Sequence, residues 1–487
     1  MLGPFRILPT TGPAETSPRS PSTPATSALN AEVRPATPPL MTPCATDPQN
    51  SRQSNPAAKG LTKPPDRANP DPGRRNPTVT LTHLTNARIV DGTAPEPTEP
   101  MTVVLENDRI REVSPRPLPP NSARVIDLRG HILMPGLIDC HVHIVAITAS
   151  LAQNATLPDS LVMARSIKLQ REMLMRGFTT VRDVGGADHG QVLASNEGTV
   201  MGPRLIIAGK ALSQSGGHCD FRGRFNNNPN VFESRLGALG RLCDGVAEVR
   251  RAAREEIKAG ATFIKIMANG GVASPTDPIH FLGFAREEIA AAVEEANNAG
   301  TYVSAHLYTD VAIRRAVECG VHSLEHCNLI QSQTAEFAAG QGAFAVPTLV
   351  TYDKLFEEGE ALGIGPESVA KIDSVRLAGL HSLEIMHNAA LPMAYGTDLL
   401  GAMHRHQSEE FVIRGRILPA QTVIASAAGI AAKLCRMEGQ IGTIAPGAFA
   451  DLVVVDGNPL NDLSLLTGQG KHMPLIFKSG EIVKNLV

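Results

Sequence analysis

Two histidines separated by one residue, His141 and His143, begin the set of side chains that could do chemistry in this sequence. They follow the apolar residues Leu137 and Ile138, so the segment has the character of a β-strand. Side chains on a strand alternate between its faces, and residues two positions apart therefore point to the same side. Both imidazole rings can then reach one metal ion.

A single lysine, Lys265, interrupts the apolar run 262–268. A buried ammonium group is costly unless a partner or a chemical change compensates its charge. Three more residues of metal-binding type end other strand-like segments, namely His306, His326 and Asp398. Together with the histidine pair, these residues predict a two-metal hydrolase site.

Alternating strand-like and helix-like segments must position these residues, and they occupy about residues 135–439. The predicted strands are 137–143, 179–184, 204–212, 262–268, 303–307, 322–327, 343–349 and 393–398. This alternation predicts an α/β fold, a (β/α)8 TIM barrel whose site lies at the carboxyl ends of the strands. A doubly wound open sheet is the alternative, but no GxGxxG turn follows an early strand. The segment 213–245, rich in Gly, Asn and Arg, is predicted to be a substrate lid.

The two ends of the chain differ in character from its middle. Residues 79–134 and 440–487 are rich in short β-type segments, which predicts one small β-sandwich domain built from both termini. Residues 1–78 hold 17 of the 37 prolines and predict a disordered leader rich in Pro, Ser and Thr.

Composition excludes several partner classes. Of the 487 residues 42% are hydrophobic, and the net charge of −3 comes with dispersed basic residues, so no nucleic-acid surface is expected. No apolar stretch approaches the roughly 20 residues that span a bilayer. The N-terminus lacks the apolar core of a secretory signal, so a cytoplasmic location is expected.

Four motifs carry a family resemblance. They are Leu-Met-Pro-Gly-Leu-Ile-Asp-Cys-His-Val-His at 133–143, Thr-Thr-Val-Arg-Asp at 179–183, Leu-Glu-His at 324–326 and Gly-Thr-Asp at 396–398. With them, the chain resembles the amidohydrolase superfamily from about residue 79 to its end. The resemblance implies two divalent metal ions, for which Zn²⁺ suits the ligands and Mn²⁺ and Co²⁺ stay open. It also implies a homo-oligomer.

The resemblance assigns the ligands and the mechanism. It implies that Lys265 reacts with CO2 and bridges the two ions as a carbamate. The first ion would be held by His141, His143 and Asp398, and the second by His306 and His326. A metal-bridging hydroxide would attack the scissile carbonyl, while Asp398 carries a proton to the leaving amine.

Four segments narrow the resemblance to one branch of the superfamily: 211–218, 264–272, 304–306 and 323–326. They resemble the binuclear metal-dependent carboxypeptidase and prolidase-like enzymes, especially the ochratoxin-hydrolysing amidases. This implies cleavage of an amide bond next to a C-terminal carboxylate in a small amide or dipeptide-like substrate, such as ochratoxin A, which would give ochratoxin alpha and phenylalanine.

The sequence also allows other functions. They are an Xaa-Pro dipeptidase, an imidazolonepropionase or deaminase type of enzyme, and a barrel without catalysis. Mononuclear deaminases typically lack the lysine and carry a Glu shortly after the strand-five histidine. Lys265 is present here, and His306 is followed by Leu-Tyr-Thr-Asp, so amide hydrolysis is favoured.

Three further residues are candidates for substrate binding. His218, in a Gly-rich loop, could polarise the scissile carbonyl or contact a carboxylate. Arg405 lies shortly after Asp398, and a guanidinium binds a carboxylate with two hydrogen bonds. His189 follows the loop that begins at Asp183.

Overall fold

The computed structural model describes residues 80–116, 119, 123–274, 276–363 and 366–486. The predicted leader, 1–78, lies outside these residues. In the part of the chain that is described, no helix is both long enough and apolar enough to cross a membrane.

The described residues form seventeen β-strands. In chain order they are β1 Leu81–Ile89, β2 Met101–Glu106, β3 Arg109–Ser114, β4 Arg124–Asp127, β5 Ile132–Pro135, β6 Leu137–Val142, β7 Phe178–Asp183, β8 Arg204–Ile207, β9 Ala211–Ser213, β10 Gly240–Leu242, β11 Ile264–Met267, β12 Val303–Thr309, β13 Ser323–Leu329, β14 Phe344–Val346, β15 Leu452–Val455, β16 Leu475–Lys478 and β17 Glu481–Asn485.

Twelve α-helices occur in the same residues, most of them between the central strands. They are α1 Leu151–Thr156, α2 Asp159–Met175, α3 His189–Asn196, α4 Gly245–Lys258, α5 Arg286–Asn298, α6 Asp310–Glu318, α7 Ser332–Gly340, α8 Leu349–Glu358, α9 Pro366–Asn388, α10 Glu409–Arg414, α11 Ala420–Ser426 and α12 Gly429–Leu434. Short 3-10 helices span Gly401–His406, Leu463–Leu466 and Gly468–Gly470.

Strands from both ends of the described chain share one eight-stranded sheet. Its order is β17-β16-β15-β5-β1-β2-β3, and β4 pairs with β1. The two ends meet where β15 runs antiparallel to β5. One face of this sheet buries a separate apolar cluster that includes Leu84, Val103, Leu133, Leu452 and Phe477.

The central strands are parallel and alternate with helices. β6, β7 and β8 form one sheet, and β10, β9, β11, β12, β13 and β14 form another in that order. Backbone hydrogen bonds continue beyond both sheets. Thr262 N donates to Ile207 O at 2.8 Å, Cys140 N donates to Tyr395 O at 2.7 Å, and Ala345 bridges Met393 in parallel. β6, β7 and β11 are buried along their whole length, as expected of parallel strands covered on both faces.

Three predicted strands differ from the structure in length or form. The third is broken into β8 and β9 around Gly209, whose φ of +70° is left-handed. The seventh is only the three residues of β14, because α8 begins at Leu349. The eighth has one isolated bridge at Met393, and its predicted end Asp398 has a left-handed φ of 53°. Strand patterns do not anticipate left-handed backbone at non-glycine residues.

Candidate active site

One cavity collects seven of the nine candidate residues near the carboxyl ends of the central strands. Those seven are His141, His143, His218, Lys265, His306, His326 and Asp398. The remaining lining is mostly apolar or aromatic and includes Leu151, Phe221, Leu239, Tyr308, Tyr352 and Leu400. The cavity therefore combines metal-binding side chains with an apolar surround, which is the usual composition of a small-molecule site.

His141, His143 and Asp398 form a group of possible metal ligands whose ligand atoms all lie within 4.8 Å of one another. Oδ1 of Asp398 is 3.3 Å from Nε2 of each histidine. The backbone N–H groups of Thr397 and Asp398 donate to the His141 carbonyl at 3.2 and 2.8 Å. These bonds secure the left-handed Asp398 beside the end of β6. Such strained residues cluster at functional sites.

Glu325, a buried carboxylate on β13, orients the His141 ring. Its Oε2 lies 2.7 Å from Nδ1 of His141. Its Oε1 accepts from Arg182 at 2.8 Å and from the hydroxyls of Ser304 and Ser323 at 2.6 Å each. Burial alone would raise the pKa of Glu325, but Arg182 and His141 hold it well below its usual value. A carboxylate behind a histidine fixes the tautomer and direction of a metal-binding ring.

The backbone at the end of β13 explains how two neighbouring residues both reach the interior. In a regular strand, Glu325 and His326 would point to opposite faces. Here His326 and Cys327 have left-handed φ angles of 71° and 59°. Glu325 therefore contacts His141 while His326 lines the cavity.

The loop after β7 fixes the other histidine of the pair. Nδ1 of His143 lies 2.8 Å from the carbonyl oxygen of Gly185. The Asp183 carboxylate accepts from the backbone N–H groups of Gly185, Ala187 and Ile144 at 3.0, 3.2 and 2.7 Å. Asp183 thus holds the loop in the shape that presents the Gly185 carbonyl to the ring.

His306 and His326 form a second pair, with ring centroids 4.6 Å apart. Nε2 of His306 lies 3.3 Å from the Gly270 carbonyl, and Nδ1 of His326 lies 2.9 Å from the Thr348 hydroxyl. Each ring therefore has its other nitrogen available to a ligand. Burial, followed by neighbouring histidines, lowers the pKa of both rings well below the usual value. Neutral imidazole is the form that binds a metal.

Lys265 is 1% exposed and lies on β11 opposite Ser304 of β12. Its Nζ is one of the few buried polar atoms of the described residues without a hydrogen-bond partner. Burial lowers the pKa of the amine to about 8. Native proteins rarely leave a buried donor unsatisfied, so this amine fits a site that gains a ligand or a modification.

His218 stacks on His306, with ring centroids 4.1 Å apart and 17° between the planes. Its Nδ1 lies 2.8 Å from the hydroxyl of Ser274, which in turn donates to the Asp277 carboxylate. A Cβ at Gly271 would lie 1.8 Å from the His218 ring, so only glycine permits this position. His218 is thus held in the cavity wall beside the second histidine pair.

Arg405 and His189 are not among the residues that line this cavity. The Arg405 guanidinium pairs with Glu358 at 2.5 Å, donates to the Ala402 carbonyl at 2.6 Å and stays 47% exposed. His189 is exposed at the start of α3, with its ring beside Gly260. The pattern of residue types gave no sign that an acidic partner at the surface would engage Arg405.

Two tyrosines in the cavity were not among the sequence candidates. Tyr352 donates to the Tyr308 hydroxyl at 3.0 Å, and Tyr308 packs on His306 and His326 with centroids 4.7 and 5.2 Å away. Tyr308 follows His306 by two residues and so shares its strand face, a signal that was available in the sequence. Tyr352 lies on α8, where nothing local indicates that the helix reaches the site.

Comparison with known proteins identifies the family. The sequence model of the Amidohydrolase family matches residues 132–483. Ochratoxinase of Aspergillus niger is 32% identical over 372 residues, covering 73% of this chain and 76% of that protein. A crystal structure of an amidohydrolase is 51% identical with a TM-score of 0.82, covering 83% of this chain and 99% of that one. A prolidase crystallised with N-methylphosphonate-L-proline is 49% identical, also with a TM-score of 0.82, covering 83% and 100%. The chain therefore belongs to the amidohydrolase family and is a metal-dependent amide hydrolase.

Proposed function

We propose that this enzyme hydrolyses an amide bond next to a C-terminal carboxylate and releases the C-terminal amino acid. The observation that carries the proposal is the position of Lys265. Its buried, unpartnered amine shares one cavity with four metal-type histidines and Asp398. This combination favours a two-metal amide hydrolase over a one-metal deaminase, because a single metal ion needs no bridging lysine.

We further propose that the central strands close into a (β/α)8 barrel over residues 135–439, with 79–134 and 440–487 as a composite β-sandwich domain. Two contacts support closure. The segment after Met393 bonds to β14 through Ala345 and to β6 through the 2.7 Å bond from Cys140 to Tyr395. The site would then lie at the carboxyl-end mouth of the barrel, as in other enzymes of that architecture.

Two divalent metal ions fit the donors in the cavity, and Zn²⁺ suits imidazole nitrogen and carboxylate oxygen. One ion would be held by His141, His143 and Asp398. The other would be held by the neutral rings of His306 and His326. When bound, the ions would lower the pKa of a bound water and polarise the scissile carbonyl.

A carbamate on Lys265 would complete the ligand set. In that reaction Nζ bonds to the carbon of CO2 and loses a proton, which leaves an anionic carbamate. The low pKa of about 8 favours this reaction, because the neutral amine is the form that attacks CO2. The change would replace a costly buried cation with an anion that the metal ions neutralise.

The remaining groups would bind substrate and move the proton. Burial alone would raise the pKa of Asp398, but His141 and His143 hold it well below the usual value, so the carboxylate is ionised before the reaction. It can accept a proton at one oxygen and deliver it to the departing amide nitrogen. His218 and Tyr308 offer donors for the carbonyl and the carboxylate of the substrate.

Two substrate classes share the required bond. Dipeptides and N-acyl amino acids ending in proline are supported by the 49% identical prolidase. Ochratoxin A, an aromatic acid linked to phenylalanine, is supported by the 32% identical ochratoxinase. In each, the cleaved amide bond joins an acyl group to an amino acid with a free carboxylate.

A substrate panel tests the proposal. Ala-Pro, N-acetyl-L-phenylalanine and ochratoxin A are incubated with enzyme that has been stripped of metal and with enzyme reloaded with Zn²⁺, and released amino acid and ammonia are measured. We expect amino acid from at least one substrate, only after reloading. Asp398→Asn at saturating Zn²⁺ should lower kcat by about 10²–10⁴-fold. Ammonia without amino acid, full activity after metal removal, or an active Asp398→Asn enzyme would each contradict the proposal.

A further inference from the structure

A second cavity opens beside the reaction cavity and differs from it in size. The reaction cavity measures about 50 Å³, which holds only a few waters at about 10–15 Å³ each. The neighbouring cavity measures about 450 Å³, within the roughly 300–1,000 Å³ of pockets for drug-sized ligands. A substrate larger than the reacting amide must therefore extend beyond the reaction cavity.

The two cavities are adjacent and share part of their lining. Four residues line both of them, namely Leu151, Cys219, Phe221 and Leu239. Leu239 places the junction on the His143 side, because a Cβ at Gly185 would lie 2.9 Å from the Leu239 carbonyl and 3.4 Å from the His143 ring. The second cavity thus begins beside the first group of metal-type ligands.

The lining of the second cavity is mainly uncharged. Helix α1 and the loop between β9 and β10 supply mainly apolar and amide side chains. Arg222 is the one charged residue among the described lining residues, and Asp220 holds its guanidinium by two bonds of 2.8 and 2.6 Å. Two apolar lining residues stay exposed, Val231 at 74% and Phe232 at 38%. These features suit an uncharged, bulky apolar group and offer no free cation to a carboxylate.

The polar donors of the reaction cavity lie beside His306. His218 stacks on His306, and Tyr308 packs against His306 and bonds to Tyr352. A substrate with one anionic and one neutral end would therefore lie with its carboxylate toward these groups. Its acyl group would then extend past His143 into the second cavity.

Buried polar contacts hold the walls of the second cavity in place. Asn154 of α1 donates to the carbonyls of Val145 and Gly237 at 2.8 and 2.7 Å, which ties the helix to the loop. Arg235 pairs with Asp159 at 2.9 Å on the outer side. Walls fixed in this way reduce the entropy lost when a ligand binds.

We propose that this second cavity is the acyl subsite of the enzyme and accepts a bicyclic aromatic or similarly bulky apolar acyl group. The proposal rests on the proposed function and adds the substrate class to it. The substrates that distinguish the two are the N-acetyl and N-(2-naphthoyl) derivatives of proline and of phenylalanine.

Ala155 of α1 lines the cavity, and Ala155→Phe would place a phenyl ring in it. We expect the ratio of kcat/KM for naphthoyl over acetyl substrate to fall at least tenfold. Ala152→Phe, from the same lining, provides a second blockage that does not depend on the first variant folding. Gln153→Phe adds the same ring to the same helix at an exposed position outside the lining and should leave the ratio unchanged.

The outcomes separate the two proposals. If wild-type enzyme cleaves neither class and none of Ala-Pro, N-acetyl-L-phenylalanine and ochratoxin A, the proposed function fails and the subsite fails with it. If the acetyl substrates or any substrate of that panel are cleaved but the naphthoyl substrates are not, only the subsite is wrong. The subsite is also wrong if Ala155→Phe and Ala152→Phe keep the wild-type Tm and leave the naphthoyl-to-acetyl ratio unchanged. It is wrong as well if Gln153→Phe lowers that ratio as much as they do.

Discussion

Replacing Glu325 by glutamine is expected to weaken both the fold and the proposed metal site. Glutamine keeps the size of the side chain and an acceptor oxygen for the hydroxyls of Ser304 and Ser323. It removes the negative charge 2.8 Å from Arg182, where both side chains are 0% exposed. It also places an NH₂ group where Oε2 accepted a hydrogen bond from Nδ1 of His141. When the Nδ1 of that ring carries a proton, it then has no acceptor.

The magnitudes follow from these two losses. Breaking a buried ion pair from one side costs about 3–5 kcal/mol, a large part of the typical 5–15 kcal/mol of stability. Loss of the group behind a metal-binding histidine weakens metal affinity by about 10–100-fold, or about 1.4–2.8 kcal/mol. We therefore expect a folded variant with a lower urea midpoint and weaker Zn²⁺ binding, measured by titration against a chelator.

Glu410 offers a matched control. It pairs with Arg414 at 2.8 Å, both side chains are 0% exposed, and neither contacts a metal-type ligand. Burial raises the pKa of Glu410 to about 7, so measurements at pH 8.5 keep the carboxylate ionised. Glu410→Gln should lower the urea midpoint and leave Zn²⁺ affinity unchanged. Equal Zn²⁺ affinity in wild type and Glu325→Gln would refute the role given to Glu325.

Three further predictions concern the lysine and the cavity wall. Lys265→Met removes a buried unpartnered amine, so the metal-free variant should be more stable to urea than the metal-free wild type by about 1–3 kcal/mol. Elemental analysis should find less bound metal in the variant. Equal stability would contradict the burial cost. The pKa of Lys265 is lowered from 10.5 to about 8, so the unfolded chain binds the proton more tightly than the folded one. The stability deficit of the metal-free wild type relative to Lys265→Met should therefore be full below pH 8 and shrink as the pH rises toward 10.5. A deficit that does not change with pH would be inconsistent with that shift. Asn154→Ala leaves buried backbone groups unpaired and should lower both Tm and the naphthoyl-to-acetyl ratio, whereas the exposed Gln153→Ala should change neither.

Local sequence was enough to indicate the candidate metal ligands. The one-residue spacing of His141 and His143 puts both rings on one face because strand geometry has a period of two. Lys265 was recognisable because a charge in an apolar strand needs a physical reason. The alternation of strand-like and helix-like segments predicted an α/β fold, and the family match over 132–483 is consistent with it.

Tertiary structure decided which residues support those candidate ligands. Glu325 acts on His141 across 184 positions of sequence, and only the left-handed turn at His326 lets two neighbouring residues face inward. Arg405 is engaged by Glu358 at the surface, while Tyr352 reaches the cavity from a distant helix. The spacing of residues along one strand determines which side chains share a face, so the sequence alone determined the candidate ligands. Which side chains meet depends on packing between distant segments, so only the folded chain decided their partners and the shape of the pocket beside them.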